Sequence, residues 1–76
     1  MLKIQEVIKE KGHNIITFSE GRELYGMLVV LEEGEPDYVE FMEFDGNDLI
    51  LITEDEQPEE FKRLKDKYYE KVLDLI

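Results

Sequence analysis

The chain has no cysteine, no tryptophan, no alanine and a single histidine among its 76 residues. Each scarcity removes a class of explanation. Without cysteine there are neither disulfides nor thiolate metal ligands, so packing alone must hold the fold. His13 has no cysteine or second histidine with which to share a zinc ion, and it is expected to be a loop residue. A long apolar run is missing too. The N-terminal "MLKIQEVIKEKG" places charges between its apolar residues, unlike a signal peptide or a transmembrane helix, and a soluble cytoplasmic protein is expected. The lack of alanine beside abundant Glu, Lys, Ile, Leu and Asp fits an AT-rich coding sequence, as many bacterial, archaeal and phage genomes carry.

The most informative absence is of positive charge. From Glu23 to Phe61 there is no Lys or Arg, and the fourteen Asp and Glu of that stretch stand unopposed. Residues 1–22 carry a net +1 and residues 62–76 a net +2, so the overall −11 arises in the middle of the chain.

What is present argues for a fold. Hydrophobic residues make up 42% of the chain, with eight Phe and Tyr, more apolar material than disordered acidic tails carry. A chain of this length makes one domain and buries only about 60% of its unfolded surface, so its stability margin is thin.

Read in order, Leu2 to Lys11 sets Ile4, Val7 and Ile8 at helical spacing, with Lys9 and Lys11 in what would be the last turn and Gly12 as the stop. A short N-terminal helix is therefore predicted. "NIITFS" is β-branched and aromatic, "EG" is a turn, and "LYGMLVVL" is a second strand apolar on both sides. Leu24, Leu28 and Val30 point one way and Tyr25, Met27, Val29 and Leu31 the other, so this strand is expected at the sheet centre, covered on both faces, with Gly26 leaving a gap on one. "DYVEFMEF" and "LILIT" follow as strands three and four, around the turn "DGND".

After Thr53, "EDEQPEE" announces a helix, with Pro58 near its first position and Glu59 and Glu60 in the positive first turn. Phe61, Leu64, Tyr68, Val72 and Leu75 recur every three or four residues and give that helix an apolar face. The predicted class is α+β: an N-terminal helix, a four-stranded antiparallel meander forming a sheet or partly closed barrel, and a C-terminal helix.

Motifs for chemistry are weak. Ser19 lies at a predicted hairpin without a nucleophile-elbow pattern, so a catalytic triad lacks support. "DGND" offers oxygen ligands but neither the loop length nor the closing Glu of an EF-hand, and a hairpin turn accounts for it. The five glycines are scattered and match no phosphate-binding loop. No enzyme activity, cofactor or metal is expected.

"SEGRELYGMLVV" followed by "FDGNDLILI" resembles the two short motifs of Sm-like RNA-binding barrels, in which a Gly-spaced second strand and a later Gly-Asn turn recur, and an N-terminal helix would agree. The resemblance implies a small barrel that holds RNA. It covers only these two stretches and departs from the family in three places. About twenty residues separate Gly26 from Gly46, too few for the usual strand count. Asp45 stands where the family commonly has Arg, and the Asp and Asn after its second strand are missing. The assignment is not adopted.

Charge and topology then point to one end of the molecule. In a meander, the loop after the second strand and the exit of the fourth share an end, which gathers Glu32, Glu33, Glu35 and Asp37 with Glu54, Asp55, Glu56, Glu59 and Glu60. Such a surface repels DNA, RNA and anionic membrane. The expected function is a small acidic protein-binding module that engages a basic protein surface. It would act as a nucleic-acid mimic blocking a basic cleft, in the manner of phage or mobile-element inhibitors. The alternative is a homodimeric structural or interaction domain whose acidic face is merely solvated.

Overall fold

In the computed structural model, the described residues are 1–32 and 35–76, with side chains described outside 31–37. The chain forms a five-stranded antiparallel sheet in simple meander order, followed by one C-terminal helical run packed on one sheet face. The strands are β1 (Leu2–Glu10), β2 (His13–Glu20), β3 (Glu23–Glu32), β4 (Glu35–Asp45) and β5 (Asp48–Ile52). The α+β class, the antiparallel meander and the C-terminal helix stand as expected from sequence.

The N-terminal helix does not form; Leu2–Glu10 is the edge strand β1, paired with β2. A β-bulge explains why its sequence reads as helical. The register shifts between Ile4 and Glu6, so the residues facing the core are Leu2, Ile4 and Val7, and the inward step changes from two to three at the bulge. That single step imitates helical periodicity. His13 likewise is not a loop residue but opens β2, and Ser19 sits within β2, where its Oγ accepts a hydrogen bond from Gln5 Nε2 at 2.8 Å.

The turns follow their glycines. Lys11 and Gly12 both have positive φ (47° and 82°), the pattern of a type I′ hairpin turn, so Gly12 completes a turn rather than capping a helix. At the second and fourth hairpins only the first turn residue, Gly21 or Gly46, is positive, as in type II′ turns.

Helical residues run from α1 (Pro58–Leu64) through a π-helical stretch (Lys65–Tyr69) into α2 (Glu70–Leu75). Pro58 occupies the first turn with Glu59 and Glu60, as expected. Phe61, Leu64, Tyr68 and Val72 are buried. Four-residue steps overshoot an α-helical turn by about 40°. The π stretch, with more residues per turn, takes up that drift so that Leu64, Tyr68 and Val72 stay on one face. The same phase brings Tyr69 and Leu73 against the core and leaves Leu75 exposed, contrary to the sequence pattern.

The core is one cluster between the helical run and one sheet face: Ile16 and Phe18 of β2, Met27 and Val29 of β3, Phe41 of β4 and Ile52 of β5 meet the four buried helix residues. Phe61 packs edge-on against Phe41 with ring centroids 5.6 Å apart. Tyr68 sits 5.1 Å from both Phe18 and Tyr25. The helical run therefore crosses from β4 at Phe61 to β2 and β3 at Tyr68.

The central position of β3 and its division between faces hold: Tyr25, Met27 and Val29 turn toward the core, and Leu24, Leu28 and Val30 away. Cover on both faces does not, because the segment that was to supply the second layer is itself a strand. Among the described residues nothing packs over the second face. The gap at Gly26 is filled across the strand pair by Met42, whose Cε would lie 3.0 Å from an added Cβ. No helix among the described residues is long and apolar enough to cross a membrane.

Candidate functional site: an acidic, tyrosine-lined end

The acidic end is built by the exit of β5. β5 pairs only with Phe41–Asp45 of β4, so the preceding part of β4 lacks a strand neighbour on that side. The connection after β5 turns there. Its shape is fixed by local hydrogen bonds: the Glu56 backbone N–H donates to Thr53 Oγ1 (3.2 Å), the Gln57 N–H to the Thr53 carbonyl (2.9 Å), and the Gln57 side-chain amide to the Leu51 carbonyl (3.3 Å). Thr53, absent from the sequence-level site, organises the turn that carries Glu54, Asp55 and Glu56.

Beside this turn lies a groove of about 390 Å³, lined chiefly by Tyr38 and Val39 of β4, Glu54, Asp55, and Lys65 and Tyr69 of the helical run. Lys65 Nζ stands 5.6 Å from the centroid of the Tyr69 ring, a cation–π arrangement. Tyr38 donates a hydrogen bond from its hydroxyl to Glu40 Oε1 at 2.6 Å. That bond, then desolvation and the charges of Glu40, Asp55 and Glu56, push the Tyr38 phenol up to about 12. Tyr38 and Asp55 line the same groove, so the turn lies beside this part of β4.

Of the nine carboxylates expected to act together, Glu54, Asp55, Glu56 and Glu59 are exposed along this turn and the first helical turn. Glu60 differs. It is half-buried and accepts hydrogen bonds from the Arg63 guanidinium, one from Nε at 3.0 Å, which holds its carboxyl below the usual range. Glu33 and the side chains of Glu32, Glu35 and Asp37 lie outside the described residues. By backbone register Glu32 pairs with Glu35, so the β3–β4 hairpin closes at the same end of the sheet as the exit of β5.

The opposite end is also acidic in sequence but has cations beside it. Glu20 accepts a hydrogen bond from the Tyr68 hydroxyl (3.1 Å) and lies 3.5 Å from Lys67 Nζ. The tyrosine bond first, and Lys67 after it, lower the Glu20 pKa despite some desolvation. Arg63 reaches Glu43 at 4.0 Å as well as Glu60. Tyr25, stacked on Phe18 and tilted against Tyr68, is pushed up to about 12, mainly by burial. Among the described residues, the ion pairs are those of Glu20, Glu43 and Glu60, and Glu54, Asp55, Glu56 and Glu59 take part in none.

Among the described residues no group of three His, Cys, Asp or Glu side chains is placed to hold a metal ion. No protein-family model, no curated protein and no solved structure matches the chain.

Proposed function

We propose that this protein is a small acidic binding module whose β5–α1 end engages a basic surface of another protein, with the reach of a nucleic-acid mimic that occupies a basic cleft. The observation that carries the reading is the division of ion pairing between the two ends. Helix cations serve Glu20, Glu43 and Glu60, whereas Glu54, Asp55 and Glu56 project from a turn fixed by Thr53 and Gln57, and Glu59 from the first helical turn, without an ion-pair partner among the described residues. A solvated acidic face needs no ordered turn. A docking face gains from one, because carboxylates held in place lose less freedom when they meet arginines or lysines.

Clustered charge of one sign steers association and selects partners more than it supplies affinity. The groove also sets the Tyr38 ring beside the carboxylates, a face that favours a guanidinium or ammonium group, while Lys65 stands over Tyr69.

The test is capture from a bacterial lysate on the immobilised protein, washed at rising sodium chloride, beside a variant carrying Glu54→Gln, Asp55→Asn and Glu56→Gln. The reading expects basic, nucleic-acid-binding proteins that elute as salt rises and are depleted on the variant. Identical captured sets with identical salt profiles on both would overturn it. Folding should survive the three changes, since exposed substitutions of this kind cost within about 0.5 kcal/mol.

A further inference from the structure

The sheet face away from the helix is largely apolar on β3, β4 and β5, with Ile15 and Ile8 extending it over β2 and β1, and nothing in the described chain covers it. Register fixes its four rows: Leu24, Phe44 and Leu49 lie side by side, then Gly26, Met42 and Leu51, then Ile8, Ile15 and Leu28, and last His13, Val30 and Tyr38. Leu49 and Leu51 are 54% and 49% exposed, and Ile8, Ile15, Leu24 and Phe44 are between 36% and 44%. The charged residues of this face stand at its margins, Lys3, Glu6 and Glu10 on the edge strand β1 and Glu40 on β4 beyond the reach of β5. An uncharged centre inside a charged rim is the anatomy of a protein interface.

We infer that this face is the interface of a two-fold symmetric dimer, in which a second copy lays its own open sheet face on the first to make a four-layer helix–sheet–sheet–helix sandwich. Area supports a second copy. Five strands about 4.8 Å apart and four rows about 6.6 Å apart give a footprint on the order of 20 Å by 25 Å, or about 500 Å². Two such faces in contact remove on the order of 1,000 Å² before side-chain relief is counted, which reaches the size that separates specific interfaces from incidental ones. Shape agrees, because a two-fold axis sets the same patch against itself and twisted sheets of like hand stack about 10 Å apart with their strands nearly aligned. The occupant must be apolar and flat, and the chain presents such a surface itself. This interface borders the acidic end at Tyr38, which pairs with Val30, and differs from that end in salt response. Two chains of net −11 repel, so screening should tighten the dimer, whereas it should loosen binding at the acidic end.

Size-exclusion chromatography with light scattering, across micromolar concentrations and at low and high sodium chloride, tests the inference. The expected mass is twice 9.1 kDa, with the dimer favoured by salt. A variant carrying Leu24→Lys and Phe44→Lys should be monomeric with an unchanged far-ultraviolet spectrum. Both positions are on interior strands, so the changes act through the face and not through pairing at a sheet edge. A 9.1 kDa species under every condition, or a variant as dimeric as the parent, would overturn the proposal. Should the variant not fold, isotope-filtered NMR on a mixed sample of the unaltered chain decides. Contacts between copies are expected at Leu24, Phe44 and Leu49, and contacts confined to other surfaces would refute it.

Discussion

The two faces of the sheet are built from similar residues and end in opposite circumstances. β3 contributes Met27 and Val29 to one face and Leu28 and Val30 to the other, yet the first pair is buried and the second only partly so. The difference lies in what crosses above. Phe61, Leu64, Tyr68 and Val72 close one face, whereas no described element lies over the other. Apolar composition thus specifies that a strand will form and sit centrally; it does not specify which side becomes core.

The sharpest way to break that comparison is to truncate one large apolar residue on each face. Phe18→Ala, at a fully buried position ringed by Tyr25 and Tyr68, should cost about 3–5 kcal/mol and leave a domain this small largely unfolded. Leu49→Ala on the open face should cost within about 0.5 kcal/mol, measured by urea unfolding at concentrations low enough to keep copies apart. Comparable costs at the two positions would mean that the open face is already packed within one chain.

Glycine substitutions give the next largest contrast. Gly46→Ala should destabilise by about 1 kcal/mol because its φ of +62° strains any side chain, although an added Cβ there meets nothing. Gly26→Ala should be close to neutral. Its backbone is ordinary and the obstructing atom is the flexible tip of Met42, which has the open face to move into. A large loss at Gly26 in thermal melts would show that Met42 is held in place on that face.

Acid titration sharpens the comparison between the two ends. The folded-state pKa of Glu20 is depressed, so its contribution to stability is present above the ordinary carboxylate pKa and is lost as pH falls through the lower folded value. Tyr68→Phe removes the largest cause of that depression. The variant should show a higher Glu20 pKa by carboxyl NMR and a shallower loss of stability on acidification. An unmoved Glu20 would assign the shift to Lys67 instead.

The smallest expected effect is global. Sodium chloride should raise the melting temperature near neutral pH by a few degrees, since fourteen unopposed acidic residues crowd the middle of the chain. Melts that coincide or fall with salt would show that the charges are well separated.

The candidate site was legible in part. The turn carrying Glu54, Asp55 and Glu56 and the helix start at Pro58 could be read from charge and capping alone, because those signals are local. The removal of Glu60 from the free acidic group was equally local, an i,i+3 pair with Arg63 on the same helix that the charge count passed over, whereas Thr53 gave no sign that it would hold the turn. Tyr38 was read only as a strand residue, and its place beside Asp55 follows from β5 stopping short of it.

By itself the sequence determined the four strands β2 to β5, the turns at Gly21 and Gly46, the central place of β3 and the C-terminal helix. Each rests on short-range physics: alternation, positive φ, proline at a first turn, a repeating apolar stripe. Tertiary structure decided the rest. Leu2–Glu10 is a strand because β2 offers it a ladder of backbone partners and a bulge absorbs its three-residue step, whereas the same spacing alone reads as a helix. Likewise the sheet carboxylates that carry cations are those beside the helical run, Glu20 near Lys67 and Glu43 near Arg63. Pairings between residues far apart in the chain exist only once packing has set the path of the helix across the sheet.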